Sequence, residues 1–284
     1  MNLTVFSLPK AFQGIYGTIQ TNAIRSWSNL SNTSVLLFGE EDGTRLIADS
    51  LPNAKHVPTV KRNRFGTPLI NDLFVQTSIH AASDWVAYAN CDIILPPTMP
   101  QLVDLITQQI KSPFVLAGRR WNIDVDFLID FENPDWFNQL ESRFANNKTL
   151  YSTAGMDLFV FPNHFYDKMP PFSIGWPGAK YDNWLVWYAR HRKIPIIDIT
   201  SAISIYHQNH PVGGGSVHPE KWEEHHISLK LLGGYGRSFD IRDTTHIALP
   251  NGRVIKRALS LSMIPVYLKR MIQRLRDRFI RQWP

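Results

Sequence analysis

The sequence predicts an α/β fold, because segments typical of strands alternate with segments typical of helices along its 284 residues. Hydrophobic residues make up 44% of the chain and aromatic residues 12%, which is enough for a sizeable core and excludes a disordered protein. The single cysteine, Cys91, excludes a disulfide framework and a zinc site built on several thiolates. We therefore expect one or two compact domains.

Each predicted strand is a short apolar run that ends in a turn, and each predicted helix has apolar residues at helical spacing. Strands are predicted over Leu3–Leu8, Ser34–Phe38, Trp85–Ala89, Ile93–Leu95, Phe114–Ala117, Met156–Phe161, Ile194–Ile199 and Ala202–Tyr206. Helices are predicted over Ile19–Leu30, Thr67–Ala82, residues 98–110 and Asn183–His191. This order indicates one body in two halves.

Positive charge is concentrated at the end of the chain. The whole sequence has a net charge of +6, from 30 Lys and Arg against 24 Asp and Glu. Residues 253–284 contain nine of the basic residues and one acidic residue, Asp277, so the rest of the chain has a net charge of −2. We therefore expect no nucleic acid partner for the body of the protein.

The first six residues lack the basic flank and the apolar stretch of a secretion signal, and they are predicted to form a strand. No run approaches the ~18 consecutive apolar residues of a membrane-spanning helix. These two observations predict a cytoplasmic protein.

The triplet Asn90-Cys91-Asp92 follows the most clearly predicted strand, Trp85–Ala89. Open α/β sheets bind ligands at the carboxyl ends of their strands, and an Asp is rarely buried there without a partner. Such a carboxylate can hold a hard divalent cation that bridges to substrate phosphates. The alternative is an Asp that only caps a turn or a helix.

From Phe65 to Leu95, with Gly66, Asn71 and the strand that leads into Asn90-Cys91-Asp92, the chain resembles the nucleotide-sugar half of GT-A glycosyltransferases. The resemblance extends in order and character over about residues 1–210. It implies a mixed, mostly parallel sheet flanked by helices, Mn²⁺ or Mg²⁺ as cofactor, and a nucleotide-sugar donor, for which a UDP-sugar is the default expectation. The triplet matches the D-x-D motif of that family except for Asn at the first position. By this resemblance Asp92 is a metal ligand, and Asn90 and Asn71 belong to the donor site.

Two segments of the second half, Gly155–Pro162 and Gly175–Trp184, resemble the acceptor segments of such enzymes. There, a carboxylate at the start of a helix faces the anomeric carbon, and in an inverting transfer it takes the proton of the acceptor hydroxyl. The resemblance makes Asp182 this base, and the alternative is an Asp182 that only caps the helix. Asp157 is the rival carboxylate, as an acceptor-binding or structural group. Further candidates for acceptor contacts are Trp176 and Arg119.

His207 is predicted to end the last core strand, where many GT-A enzymes supply one more metal ligand. Imidazole is a reasonable ligand for Mn²⁺ beside carboxylate and phosphate. The alternative is an ordinary hydrogen-bonded histidine. His210, three residues further on, is a weaker substitute for the same role.

The ends of the first two predicted strands are where such folds receive the nucleoside. The donor contacts predicted there are Pro9, Lys10, Glu40 and Asp42. An acid in the second of these turns can accept from a base imide or from ribose hydroxyls, or it is only solvated. Arg64 can offset the charge of a diphosphate through bidentate contacts, or it is only a surface residue.

The C-terminal segment predicts a basic amphipathic helix. From Pro265 onward, apolar residues recur at helical spacing among basic ones: Leu268, Met271, Ile272, Leu275, Phe279 and, one turn later, Trp283. Such a helix lies on a membrane surface, binds a partner, or packs its apolar side back on the body. On the inner face of an anionic membrane it would bring the enzyme to a lipid-linked or cell-envelope acceptor.

Together these features predict a catalytic domain over residues 1–252 and a tail over 253–284, with a nucleotide-sugar half up to about residue 113 and an acceptor half over 114–252. We expect a glycosyltransferase that moves a sugar from a nucleotide diphosphate to a hydroxyl of a glycan or lipid-linked acceptor. One alternative is a non-catalytic sugar- or nucleotide-binding protein of the same fold. The other is a sugar-phosphate nucleotidyltransferase, because Gly43-Thr44-Arg45 resembles part of the glycine-rich loop of that class. The support is weak, because that loop follows the first strand, whereas Gly43-Thr44-Arg45 follows the second predicted strand.

Overall fold

The computed structural model describes residues 2–174, 180–211, 219–258 and 260–280. Trp176 and Trp283 lie outside the described residues. The strands are β1 (Leu3–Ser7), β2 (Thr33–Phe38), β3 (Ala54–Val57), β4 (Trp85–Ala89), β5 (Ile93–Ile94), β6 (Val115–Gly118), β7 (Trp121–Ile123), β8 (Thr149–Leu150), β9 (Leu158–Pro162), β10 (Ile196–Asp198), β11 (Tyr206–Gln208), β12 (His246–Ala248) and β13 (Val254–Lys256). The α-helices are α1 (Ile15–Ser28), α2 (Thr44–Asp49), α3 (Ile70–His80), α4 (Met99–Gln109), α5 (Trp136–Arg143), α6 (Tyr181–His191), α7 (Pro219–Leu232) and α8 (Ile264–Ile280).

Nine strands form one sheet in the order β13-β12-β10-β6-β9-β4-β1-β2-β3. Strands β3, β2, β1 and β4 run parallel to one another, and so do β6, β10 and β12. β9 joins these two groups as an antiparallel strand. Helices pack on both faces, so the predicted α/β fold with a mixed, mostly parallel sheet is confirmed.

The side chains of the central strands alternate between two hydrophobic cores on opposite faces of this sheet. In β1, Val5 joins the core that contains Trp27 of α1, whereas Phe6 joins the core that contains Phe74 of α3. The rings of Phe6 and Phe74 meet edge to face with their centres 5.0 Å apart. Burial on both faces explains why these strands have nearly continuous apolar sequences.

A second sheet contains four short strands in the order β5-β11-β7-β8, which the sequence does not predict. β5 follows β4 directly after the Asn90–Asp92 turn, so this sheet starts where a central strand ends. β11 lies between β5 and β7, with His207 opposite Ile93 on one side and Asn122 on the other.

The predicted strand Ala202–Tyr206 is wrong, because the paired residues are Tyr206–Gln208. The amides of Ala202 and Ile203 both donate to the Ile199 carbonyl, at 2.9 and 3.2 Å, so this part of the chain forms a turn. His207 therefore lies inside a strand and does not end one.

Other elements also differ from the prediction. α6 begins at Tyr181, two residues before the predicted start, which brings Asp182 into its first turn. The sequence does not predict α2, β3, α5, β7 or β8. β3 has the sequence Ala-Lys-His-Val at the edge of the sheet, and only its last residue is buried, so it carries little hydrophobic signal.

The C-terminal helix α8 is present where the sequence predicts it. No helix among the described residues has the length and apolar character needed to cross a membrane.

Candidate active site

Asp92 lies in a tight turn between β4 and β5, at the carboxyl end of a central strand. The Ile93 amide donates to the Asn90 carbonyl (3.0 Å) and closes this turn. Cys91 is buried, and its thiol donates to the Ser7 hydroxyl of β1 (3.0 Å). The core thus holds the middle residue of the turn, and Asn90 and Asp92 make polar contacts on either side of it.

Two histidines bring imidazole nitrogens to the Asp92 carboxylate. Asp92 Oδ2 lies 3.2 Å from His210 Nε2 and 3.5 Å from His207 Nε2. The ligand atoms of the three residues all lie within 4.8 Å of one another. Asp92 Oδ1 and His207 Nδ1 are buried without a hydrogen-bond partner in the described part of the chain. One carboxylate and two imidazoles this close together can hold a divalent cation.

Gln208 fixes the segment that carries both histidines. Its buried side chain donates to the Ile19 carbonyl of α1 (2.8 Å) and accepts from the Asn22 amide (2.9 Å). Its backbone amide donates to the Asp92 carbonyl (3.1 Å). Next to His210, the Tyr16 hydroxyl donates to the Pro211 carbonyl (3.0 Å). The two histidines are therefore held against α1 and against the Asp92 turn.

Hydrogen bonds from the two histidines keep the Asp92 carboxyl ionised. Burial by itself raises the pKa of this carboxyl, but the hydrogen bonds from His207 and His210 outweigh burial and hold the pKa well below its ordinary value. In return, the hydrogen bond to Asp92 raises the pKa of His210, although burial opposes this rise. A proton and a cation therefore compete for the His210 side chain.

Asn90 is the centre of a hydrogen-bond network on the other side of the turn. Its Nδ2 donates to Asp157 Oδ1 (2.6 Å), and its Oδ1 accepts from the hydroxyls of Tyr88 (2.9 Å) and Tyr181 (3.3 Å). Arg120 Nη1 holds the second oxygen of Asp157 (2.5 Å). An amide can donate to a carboxylate and accept from phenols at once, which an ionised Asp cannot do. The contacts of residue 90 therefore fit Asn better than Asp.

Asn90→Asp is expected to lower the free energy of unfolding by about 1–3 kcal/mol at neutral pH, because a second carboxylate would then lie against Asp157. One shared proton relieves this repulsion, so the loss of stability grows as the pH rises. Urea unfolding of the variant and the wild type at mildly acidic and mildly basic pH measures the effect.

Asn209→Asp is the matched control. Asn209 Nδ2 also donates to a carboxylate, Asp124 Oδ1 (2.8 Å), but Asn209 is only half-buried and Asp124 is exposed. This exchange is expected to change stability by less than about 0.5 kcal/mol. If Asn90→Asp were as stable as the wild type at every pH, the network would not depend on a neutral amide at position 90.

Asp182 lies in the first turn of α6, after the N-cap residue Lys180, so it is not the N-cap itself. Its Oδ1 accepts from the Asn183 amide (2.8 Å). Burial raises the pKa of Asp182 to about 7; the Asn183 amide and Lys180 oppose this rise, and the charge of Asp157 adds to it. A carboxyl with this pKa can take up and release a proton near neutral pH.

Among the donor contacts predicted at the ends of the first two strands, Lys10 is connected to His210 through the Tyr16 ring. Pro9 is buried and Lys10 is exposed, with Lys10 Nζ 4.5 Å from the centre of the Tyr16 ring. The Tyr16 ring is in turn 5.2 Å from the His210 ring, centre to centre. Tyr16, which no sequence motif singles out, thus connects the end of β1 with the candidate metal ligands.

The other predicted donor contacts have different surroundings. Glu40 and Asp42 are exposed in the turn after β2, and Arg64 pairs with Glu223 of α7. Asn71 lies on α3, and its side-chain oxygen is buried without a partner among the described residues. No described contact connects Glu40, Asp42 or Arg64 with Asp92.

Arg120, and not Arg119, reaches the candidate site. The Arg119 side chain donates to the Tyr151 carbonyl (2.9 Å), whereas Arg120 pairs with Asp157 and lies over the Tyr151 ring at 4.3 Å. The charge of Arg120 also contributes to the low pKa of Asp92. Adjacent residues of an extended chain point to opposite sides, so one of two neighbouring arginines is expected to face the site, but the sequence does not decide which.

No family model matches this chain, and no curated protein matches it. Among solved structures, it is similar to residues 1–349 of S. aureus TarS in complex with UDP-GlcNAc, with a TM-score of 0.54 and 13% identity over 82% of this chain and 66% of that chain. The complex of the same TarS fragment with UDP gives a TM-score of 0.50 and 14% identity over 82% of this chain and 64% of that chain. The longer TarS structure gives a TM-score of 0.51 and 13% identity over 82% of this chain and 39% of that chain. This chain thus spans 66% or less of each of these TarS chains.

The common element of these similarities is the fold. At 13% identity, the match to TarS with a TM-score of 0.54 is a match of the fold, a mostly parallel sheet with helices on both faces. The chain therefore has the fold of the GT-A glycosyltransferases, and Asp92 lies at the end of its central strand β4.

Proposed function

We propose that this protein is a metal-dependent glycosyltransferase that moves a sugar from a nucleotide diphosphate to a hydroxyl acceptor. The observation that carries the proposal is the cluster of Asp92, His207 and His210 at the carboxyl end of β4. β1, β2 and β4 are parallel, so they end at the same edge of the sheet, where open α/β folds bind their ligands. A pyrophosphate bound at this edge would lie next to the three side chains.

The three side chains suit Mn²⁺ better than Mg²⁺. Mg²⁺ prefers oxygen ligands, and two of the three donors here are imidazole nitrogens. The unpartnered Asp92 Oδ1 supports ligation by this residue. Burying a carboxylate oxygen without a partner costs free energy, and a bound cation would offset that cost. When bound, the cation would neutralise the negative charge that builds up on the leaving diphosphate.

Asp182 is the proposed general base of an inverting transfer. Its pKa, raised by burial to about 7, suits the removal of a proton from an acceptor hydroxyl. The rival carboxylate, Asp157, has both oxygens engaged, one by Asn90 and the other by Arg120. We assign Asp157 to the positioning of Arg120 and of the turn that carries Asp92.

Uridine diphosphate sugars are the first donors to test, because TarS, whose fold is similar, has been crystallised with UDP-GlcNAc. Lys10 and the buried, unpartnered oxygen of Asn71 are the donor contacts that the structure supports best. We propose Lys10 as a partner for phosphate charge and Asn71 as a hydrogen-bond acceptor for the donor.

A thermal-unfolding panel tests this proposal without a known acceptor. The protein is heated with UDP-, GDP-, CMP- and dTDP-sugars, each with Mn²⁺ or with a chelator. Ligand at about 100 times its Kd stabilises the native state by about 2.7 kcal/mol, which corresponds to a rise in Tm of several degrees. We expect such a rise with one nucleotide class, only with Mn²⁺, and not in Asp92→Ala.

Asp126→Ala is the control in this panel, because Asp126 is an exposed carboxylate near β7 outside the cluster. It is expected to respond to donor and Mn²⁺ as the wild type does. If no nucleotide-sugar raised Tm under any condition, the metal-dependent transferase would be ruled out.

A non-catalytic protein that binds a nucleotide-sugar is the second candidate. It is favoured by Asn90, which contributes no charge to the motif and whose side chain is engaged with Asp157, Tyr88 and Tyr181. Consumption of the bound donor in the presence of varied acceptors separates the two candidates, since only the transferase releases the nucleoside diphosphate.

A further inference from the structure

The C-terminal helix α8 contacts the body through its basic side. Arg270 is buried and pairs with Asp243 (2.5 Å) and Asp240 (3.6 Å). One turn further, Arg274 Nε donates to the Gly236 carbonyl (2.9 Å), and both guanidinium groups lie near the Phe239 ring. Asp240, Asp243 and Phe239 of the body thus contact the basic side of α8. The amphipathic sequence pattern predicts that this basic side faces solvent.

The apolar side of α8 is consequently exposed. Leu268, Met271, Ile272 and Leu275 are each about half exposed, at 50, 53, 54 and 49%, and Ile264 and Tyr267 extend the same surface. These six residues, here called the α8 stripe, recur at spacings of three and four, so they share one side of the helix. For these described residues, the alternative in which α8 packs its apolar side back on the body does not hold, because Val266, Arg270 and Gln273 are the less exposed positions.

The charged side chains described beside the α8 stripe are positive. Lys269 and Arg276 are exposed beside it, and residues 253–284 contain nine basic residues against one acidic residue. The rest of the chain has a net charge of −2, so the positive charge of the protein is concentrated in the segment that carries the exposed apolar surface. Apolar residues flanked by Lys and Arg are complementary to a lipid surface with anionic headgroups.

We propose that α8 lies on an anionic lipid bilayer, with the α8 stripe inserted in the interface and Lys269 and Arg276 at the level of the headgroups. Arg270 and Arg274 attach the helix to the body, so the helix carries the whole protein to the membrane. This proposal rests on α8 alone and does not depend on the proposed transferase activity.

A second copy of the chain is the competing occupant of the α8 stripe. Pairing two copies through this surface would bring two basic helices together, and the repulsion between their charges opposes such a dimer. An anionic bilayer receives the same apolar residues and attracts the same charges. The charge of the segment thus favours the membrane.

Flotation of the full chain with vesicles tests the proposal. One set of vesicles is phosphatidylcholine with about a third phosphatidylglycerol, and the other is pure phosphatidylcholine. We expect the wild type to float with the anionic vesicles and much less with the neutral ones. Leu268→Ser combined with Leu275→Ser is expected to lower the bound fraction at least about tenfold, because both side chains leave the interface.

The matched control removes two exposed apolar side chains elsewhere. Leu46 of α2 and Ile79 of α3 are 76% and 72% exposed, and Leu46→Ser with Ile79→Ser is expected to float as the wild type does. A second variant, Lys269→Gln with Arg276→Gln, keeps the stripe and is expected to lose most of the preference for anionic vesicles. This second variant tests the proposal even if the serine variant does not fold.

Three results would overturn the membrane assignment. The first is a wild type that does not float with anionic vesicles, and the second is a serine variant that floats equally well. The third is a concentration-dependent dimer, seen by analytical ultracentrifugation, that the serine variant dissociates, because the stripe would then be covered by a second copy. None of these results bears on donor binding, which the thermal-unfolding panel measures separately.

Discussion

Asp92→Ala is expected to bind Mn²⁺ at least about 100-fold more weakly than the wild type, and to lose metal-dependent binding of the donor with it. Asp92 supplies the only negative charge of the three-residue cluster, and the remaining groups, His207 and His210, are neutral ligands. A divalent cation between two imidazoles alone has no charge to compensate it. Calorimetric titration of Mn²⁺, with and without UDP, measures the loss.

Asp92→Asn and Asp126→Ala complete this experiment. Asp92→Asn keeps the size of the side chain and an oxygen acceptor for the histidines but removes the charge, so it is expected to lose most of the affinity as well. Asp126→Ala removes an exposed carboxylate and is expected to bind Mn²⁺ normally. An Asp92→Ala protein that is folded and binds Mn²⁺ as tightly as the wild type would show that the cation lies elsewhere.

Asp182→Asn is expected to lower kcat by about 10²–10⁴-fold while the Kd of the donor stays unchanged, because the variant lacks the group that accepts the proton. The base works only when ionised, so the wild-type rate should rise as the pH increases through about 7, the pKa to which burial raises Asp182. The variant should lose this rising limb. Steady-state rates across this range, together with the donor affinity, measure both effects.

Stability provides an independent readout for the same residue. The pKa of Asp182 is higher in the folded protein than in the unfolded chain, so the native state loses stability as the pH rises through this interval. Asp182→Asn removes that loss. The free energy of unfolding of the variant should therefore exceed that of the wild type by an amount that grows from acidic to neutral pH. Asp167→Asn, at an exposed carboxylate, should show neither effect. A variant with an unchanged kcat would assign the proton transfer to another group.

The position of Asp92 in the fold could be predicted because its signal is local. A continuous apolar run such as Trp85–Ala89 indicates a strand buried on both faces, and a carboxylate directly after it has few structural explanations. The location of Asp92 at the end of a central strand follows from this pattern alone. Apart from α2 and the edge strand β3, the strands and helices of the first half could be predicted in order for the same reason.

The contacts of His210 and Arg120 could not be predicted in this way. β11 has three residues and pairs with β5 and β7, which come from distant parts of the chain, so its hydrophobic pattern is too short to fix its position. His210 reaches Asp92 because of that pairing, at a sequence separation that no local spacing encodes. For Arg120, the partner Asp157 comes from the segment before β9, and only the fold brings the two together.

The attachment of β11 to its neighbours has a thermodynamic consequence for the candidate metal site. Gln208 binds the Asp92 carbonyl and α1 through separate hydrogen bonds, so folding of the chain already orders the two flanking histidines. A preorganised set of ligands loses little conformational entropy when an ion enters it. Ions whose preferred bond lengths differ from the spacing of these ligands must then distort their own coordination, because the protein does not adapt to them. Discrimination among divalent ions would therefore reside in the packing of β11 as much as in the identity of the ligands.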